Sequence, residues 1–235
     1  MRTRNLFLVI LFMLSAISCV NNHEIEKEPA FIIESGDLLF QDLDCGPLCD
    51  AIEDVTQGVD GARLSHVGIA FVDQQNQTFV IEAYGSQVVQ TPIDIFLSRT
   101  KDSNGNPKVI VGRIKDQYKD LINPALQCTK SLIGKPYDNI FKIDSNNFYC
   151  SELVFYSYMM ANSGKPLFLL LPMTFKDVNS SQFNDAWVEY YKNLKHAIPE
   201  GEPGINPGDI SRSQYVHIVH AFGYPDGYSP VTKKE

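Results

Sequence analysis

The chain has 235 residues, enough for one generous domain or two small ones, and its 44% hydrophobic and 11% aromatic content can fill a real core. That excludes global disorder. The net charge of −8, with no basic run longer than Lys233-Lys234, excludes a nucleic-acid surface, which needs clustered Lys and Arg to displace counterions.

Arg2 and Arg4 precede the apolar run LFLVILFMLSAI, which closes on SAISC, the pattern of an export signal over residues 1–18. The run falls short of the ~20 apolar residues that span a bilayer. Small residues ahead of Cys19 resemble a bacterial lipobox, in which the cysteine becomes the lipid-modified mature N-terminus; a plain signal-peptidase cut after Ser18 is the alternative. Residues 19–34 then read as a polar tether and 35–228 as the folded domain. The expectation is an exported protein anchored to a bacterial membrane and facing the periplasm or exterior.

Within the domain, SGDLLFQ alternates and predicts a first strand over 37–41. Cys45 and Cys49 follow in DCGPLCD, where Leu48 makes the spacing C-x-x-x-C and defeats a thioredoxin-type redox motif. A local disulfide and two free thiols both fit. A helix or irregular segment is expected over 49–56, and SHVGIAFVDQQNQTFVIEAYG reads as an antiparallel hairpin with its tip near 74–76. KVIVGRI predicts another strand. QYKDLINPALQCTKSLIGKPYD reads as helical, broken or kinked at Asn123-Pro124 and stopped by Gly134 and Pro136, with Cys128 at an apolar core position. NFYCSELVFYSYMMANSG predicts a helix with Cys150 in its first turn; SSQFNDAWVEYYKNL is also helical, and EGEPGINPGDIS is a loop before a last short strand or helix.

The hairpin permits a parity argument. Side chains alternate faces, so His66 shares a face with Gly68, Ala70 and Val72, and Glu82 with Thr78, Val80 and Tyr84. A three-residue tip sets His66 opposite Glu82, and a five-residue tip makes them diagonal neighbours; either leaves their Cβ atoms about 5–8 Å apart. A two- or four-residue tip reverses the parity. A histidine backed by a carboxylate is an oriented general base, the partner that Cys150 needs to act as a nucleophile. A helix N-terminus favours the thiolate and its free N–H groups can hold an oxyanion. Alone, each residue fits a bland role: a structural histidine, a solvated glutamate, a packed thiol.

SGDLLFQ, SHVGIAF, VIEAYGSQVVQTPI, GKPYDNIF and FYCSELVF, in that order, resemble the YiiX/YebB-type branch of the NlpC-like papain superfamily. That branch is circularly permuted, with histidine first and cysteine last. The resemblance implies an α+β, permuted papain-like fold with an antiparallel sheet packed against helices. It also implies Cys150 as nucleophile, His66 as base and Glu82 as the residue that orients it. Asp37 and Tyr137 lie in the matching motifs as candidates to line the site, where turn or packing roles suit them equally. Tyr149, with Phe141 and Phe148, could accept an acyl chain or form core. His217 and His220 have the spacing of a helix-borne metal pair without an evident third ligand, so no metal is expected. Glu152, in the first turn of the cysteine helix, reads as a dipole-complementing acid.

The expected activity is therefore a cysteine hydrolase of amide or ester bonds that needs no cofactor. Its substrate is a cell-wall peptide or an N-acyl or lipid amide. An acyltransferase shares the first half-reaction, and a lipid- or peptide-binding module with the same pocket is the non-catalytic alternative.

Overall fold

Runs of β-branched and aromatic residues build a six-stranded sheet in which every pairing is antiparallel, its strands lying side by side in the order 87–92, 78–84, 66–72, 38–41, 109–114 and 216–221. The computed structural model describes residues 31–144, 146–177 and 179–230, so the expected export signal and Cys19 lie outside the described residues. In chain order the elements begin with β1 (Leu38–Gln41), α1 (Pro47–Val55), β2 (His66–Val72), β3 (Thr78–Tyr84) and β4 (Gln87–Pro92). There follow α2 (Ile93–Ser98), β5 (Val109–Ile114), α3 (Ile122–Ser131) and α4 (Cys150–Ala161). The last are β6 (Leu171–Pro172), α5 (Asp185–Leu194), β7 (Pro203–Gly204), α6 (Pro207–Ser211) and β8 (Val216–Ala221).

The alternation of side chains gives the sheet two apolar faces. Leu38, Phe40, Val67, Ile69 and Ile110 pack with Val154, Phe155 and Tyr158 of α4. On the opposite face Leu39, Ala70, Val80 and Val109 pack with Phe96 of α2. Because α4 is covered by the sheet and by α3, it is apolar almost all round; where the helices cross, the Thr129 hydroxyl donates to Ser157 Oγ at 2.8 Å.

Several sequence expectations need adjustment. The helix before the cysteine is not broken at Asn123-Pro124. A 3₁₀ turn over Asp116–Leu121 gives way to α3 at Ile122, so Pro124 sits in the first turn, where its missing N–H costs nothing. β4 and α2 have no counterpart in the sequence reading, because QVVQTP is short and half exposed. Cys45 and Cys49 form a disulfide across the first turn of α1. Cys128 is half-buried against a satellite cluster rather than in the main core.

The β2–β3 hairpin closes with the pair Val72↔Thr78 around a tip of residues 73–77, the five-residue case. Asp73 holds the tip, accepting from the N–H groups of Gln75 and Gln77 at 2.9 and 2.8 Å. In this register His66 and Glu82 are diagonal neighbours on one face, and Gly68 leaves the space between them. A Cβ at Gly68 would lie 2.4 Å from Val80 Cγ1 and 3.2 Å from Glu82 Cβ. Gly68→Ala is therefore expected to destabilise the fold by ~1–3 kcal/mol through overpacking. Urea denaturation checks this as a lower midpoint with an unchanged slope.

Candidate active site

Cys150 is the first residue of α4, preceded by Tyr149 in extended conformation (φ −87°, ψ 171°) with no side-chain cap. The N–H groups of the first turn are thus free of intrahelical partners and raise the local potential around the sulfur. His66 is the first residue of β2 and pairs with Gln41, the last residue of β1. Both side chains stand at the end of the sheet. There the thiol and the imidazole are close enough for each to shift the other's ionisation, and the backbone N–H of Val67 also favours the charged sulfur. Ser151 Oγ lies 3.8 Å from Cys150 Sγ.

The imidazole Nε2 lies 2.5 Å from Glu82 Oε2, which leaves Nδ1 for the thiol. Glu82 has no solvent exposure. Its carboxylate also accepts from Thr91 Oγ1 at 2.5 Å and from both terminal nitrogens of Arg99, at 2.8 and 2.6 Å. Burial would push this carboxyl up, but the bonds from Arg99 and His66 hold it down to about 2. Burial would likewise depress the imidazole; its bonds to Cys150 and Glu82 outweigh that and raise it to about 9. For Cys150 burial opposes ionisation, yet the His66 bond and charge carry the thiol below its ordinary value. Cys128 moves the other way, raised by burial.

Two cavities meet at this point. One, of about 270 Å³, is lined by Cys150 and Ser151 with Ile52, Tyr149, Met173 and Trp187. The second, of about 330 Å³, is lined by His66 and Arg99 with Asp44, Cys45, Tyr84 and Asn139. Tyr137, Phe141, Ile52 and Ser65 belong to both. Burial raises the Tyr137 phenol well above its usual range, so it stays protonated and remains a hydrogen-bond donor. The Tyr149 hydroxyl accepts from the Ile205 N–H at 3.1 Å.

The remaining sequence candidates go elsewhere. Asp37 lines neither cavity; it is buried at the start of β1, where Arg113 grips it with two bonds of 2.7 and 2.8 Å. Glu152 does not serve the helix dipole as a charge. It is 1% exposed, burial raises it to about 9, and its Oε1 accepts the Asp144 N–H at 2.8 Å, pinning the approach loop. His217 and His220 lie on strand β8 rather than a helix. Among the described residues, the one group of His, Cys or acidic side chains close enough to share an ion is Asp42, Asp44 and Asp226. The Lys108 ammonium already bridges all three, at 3.4, 2.9 and 3.2 Å.

Arg99 and Thr91 are the site residues the sequence reading missed. Assigning β4 as a strand would have found Thr91: it pairs with Val80, which puts it on the Glu82 face. Arg99 follows α2 and carries no motif.

Comparison with known proteins bears on the fold and the family. The crystal structure of the metalloprotein yiiX from Escherichia coli O157:H7 superposes with a TM-score of 0.66 at 23% identity, covering 82% of this chain and 98% of that one. The likeness shows the fold. No curated protein matches the chain. Residues 32–220 match the family described as permuted papain-like amidase enzymes, YaeF/YiiX, C92. With a helix-borne cysteine following the histidine strand in a mixed helix and antiparallel sheet fold, the chain belongs to that family of permuted papain-like cysteine hydrolases.

Proposed function

We propose that the protein is an exported hydrolase that cleaves amide or ester bonds of an acylated substrate through Cys150, His66 and Glu82. The observation that carries this reading is a buried thiol beside a buried imidazole whose Nε2 is fixed by a carboxylate, at the mouth of an apolar cavity. The Cys150 sulfur attacks the substrate carbonyl, and the oxyanion is held by the free N–H groups of the first turn of α4 and by the Tyr137 phenol. The imidazolium then gives its proton to the departing amine or alcohol. Water, deprotonated by His66, attacks the thioester, frees the acid and restores the thiol.

The two cavities divide these roles. The acyl group, bonded to sulfur, belongs on the Cys150 side; the leaving group, protonated by His66, belongs on the His66 side. Walls of Ile52, Phe141, Met173, Phe175, Trp187 and Ile205 suit an alkyl chain better than a cell-wall peptide, whose amides would need polar partners. We therefore favour N-acyl or lipid amides and esters. We carry no metal over from the structural neighbour, because the Asp42, Asp44 and Asp226 carboxylates are already bridged by Lys108.

Purified protein is to be presented with muropeptides and with a panel of N-acyl amino acids, lipid amides and esters, using Cys150→Ala as the blank. Release of free fatty acid that depends on Cys150 and falls at least ~10²-fold in His66→Ala is expected. Cleavage of muropeptides alone would overturn the lipid reading. Equal binding of one class by wild type and Cys150→Ala without turnover would replace the enzyme by a binding module.

Anchoring at Cys19 belongs to the same proposal and rests on the small residues of SAIS before it. Wild-type protein is expected to partition into the detergent phase, and Cys19→Ser to be released or misprocessed. A mature N-terminus without a lipid mass would favour plain secretion.

A further inference from the structure

Arg99 is bound to the site more firmly than a surface arginine would be. Its guanidinium makes two parallel bonds to Glu82, and its carbon lies 3.8 Å from the Tyr84 ring centroid and 5.0 Å from that of Phe96. The same two rings flank the His66 imidazole, at 5.7 and 6.0 Å. Arginine and histidine are thus held by one carboxylate and one pair of aromatic rings.

The attacking form of the site contains a thiolate, an imidazolium, a carboxylate and a guanidinium. These four charges cancel. Without Arg99, the same form would leave one net negative charge in a buried cluster, and proteins avoid such a charge by protonating a group. Among the described residues, Arg99 and His66 are the cations that act most strongly on Glu82, and His66 on Cys150. The groups that face them from the packed elements are His66 on β2, Thr91 on β4, Ser151 on α4, and the Tyr137 and Tyr149 phenols, which burial keeps neutral. Asp44, at the second cavity, is bonded to Lys108 at 2.9 Å.

We propose that Arg99 is a positioning residue of this site, cancelling the buried charge of Glu82 and fixing its orientation so that the Cys150 thiolate and His66 imidazolium can form as a pair. The proposal rests on the Cys150–His66–Glu82 reading. A protonated Glu82 would donate to Nε2 and reverse the tautomer, setting an N–H against the thiol where a lone pair is needed. Arg99 acts through this tautomer without touching the substrate carbonyl. A lysine would keep the charge but lose the two-pronged grip and the stacking.

The test uses iodoacetamide, because alkylation reports the thiolate directly and requires no knowledge of the substrate. Labelling of the Cys150 peptide is followed by mass spectrometry from acid to alkaline pH, with Cys128 as the internal reference. In wild type, fast labelling of Cys150 should persist well below the range where Cys128 reacts. In Arg99→Met the midpoint should move up by about one pH unit or more, seen near neutrality as labelling about tenfold slower. Arg99→Lys should recover most of that shift, and Arg99→Gln gives the uncharged comparison if the methionine variant does not fold. A wild-type pH profile in a folded, uncharged Arg99 variant overturns the proposal, even if that variant is less stable. Wild-type Cys150 labelling like Cys128, or a profile unchanged in His66→Ala, instead removes the triad reading and this proposal with it.

Discussion

A carboxylate with no access to water is the constraint around which the rest of the site is arranged. Glu82 is central in β3, and an ionised carboxyl there is tolerable only if its lone pairs are occupied and its charge is opposed. Each neighbouring element supplies one answer: His66 from β2, Thr91 from β4 and Arg99 from the end of α2. The fold therefore cannot place β4 or α2 freely. Their register and packing are set by the same group that orients the imidazole, so local stability and the reactive geometry depend on shared contacts.

The two sides of the sheet explain how the cysteine reaches this carboxylate's partner. His66 shares its sheet face with Ala70 and Val80, the face covered by α2, whereas α4 packs against the other. A meeting is possible because both residues are terminal. His66 opens β2 at its last rung with β1, and Cys150 opens α4, so the side chains meet around the end of the sheet. One residue further into either element would put the sheet between them. Permutation leaves this intact, since it changes the chain order of the histidine strand and cysteine helix but not the ends they present to each other.

The part of this arrangement that follows from local periodicity was legible in the sequence. An odd-length hairpin tip puts His66 and Glu82 on one face, the apolar run with a cysteine at its start predicts α4, and ordered motifs join them into one fold; the five-residue tip of the structure settles the parity. Arg99 was not legible, because a salt bridge depends on where α2 returns the chain rather than on any spacing near Arg99 itself. Asp37 shows the converse. It lies in a matching motif, yet Arg113 on the adjacent β5 strand claims both its oxygens, and a carboxylate so occupied has little left to offer a substrate. Glu152 misled for a third reason: position in the first turn predicts a charge, but burial decides whether the charge exists.

The loop that carries Cys45 and Cys49 finds a place in the same physical frame. α1 stands between the cavities, contributing Leu48 and Cys49 to the second, Val55 to the first, and Ile52 to both. A disulfide between Cys45 and Cys49 closes so small a ring that it removes little chain entropy from the unfolded state, and its effect is local. It ties the first turn of α1 to the strand exit after β1, where Gly46 at φ +86° turns the chain and Pro47 opens the helix. Because α1 lines both cavities, a bond that fixes its first turn also helps fix the wall between them. Such a bond persists in an oxidising compartment, where the proposed export signal would deliver the chain.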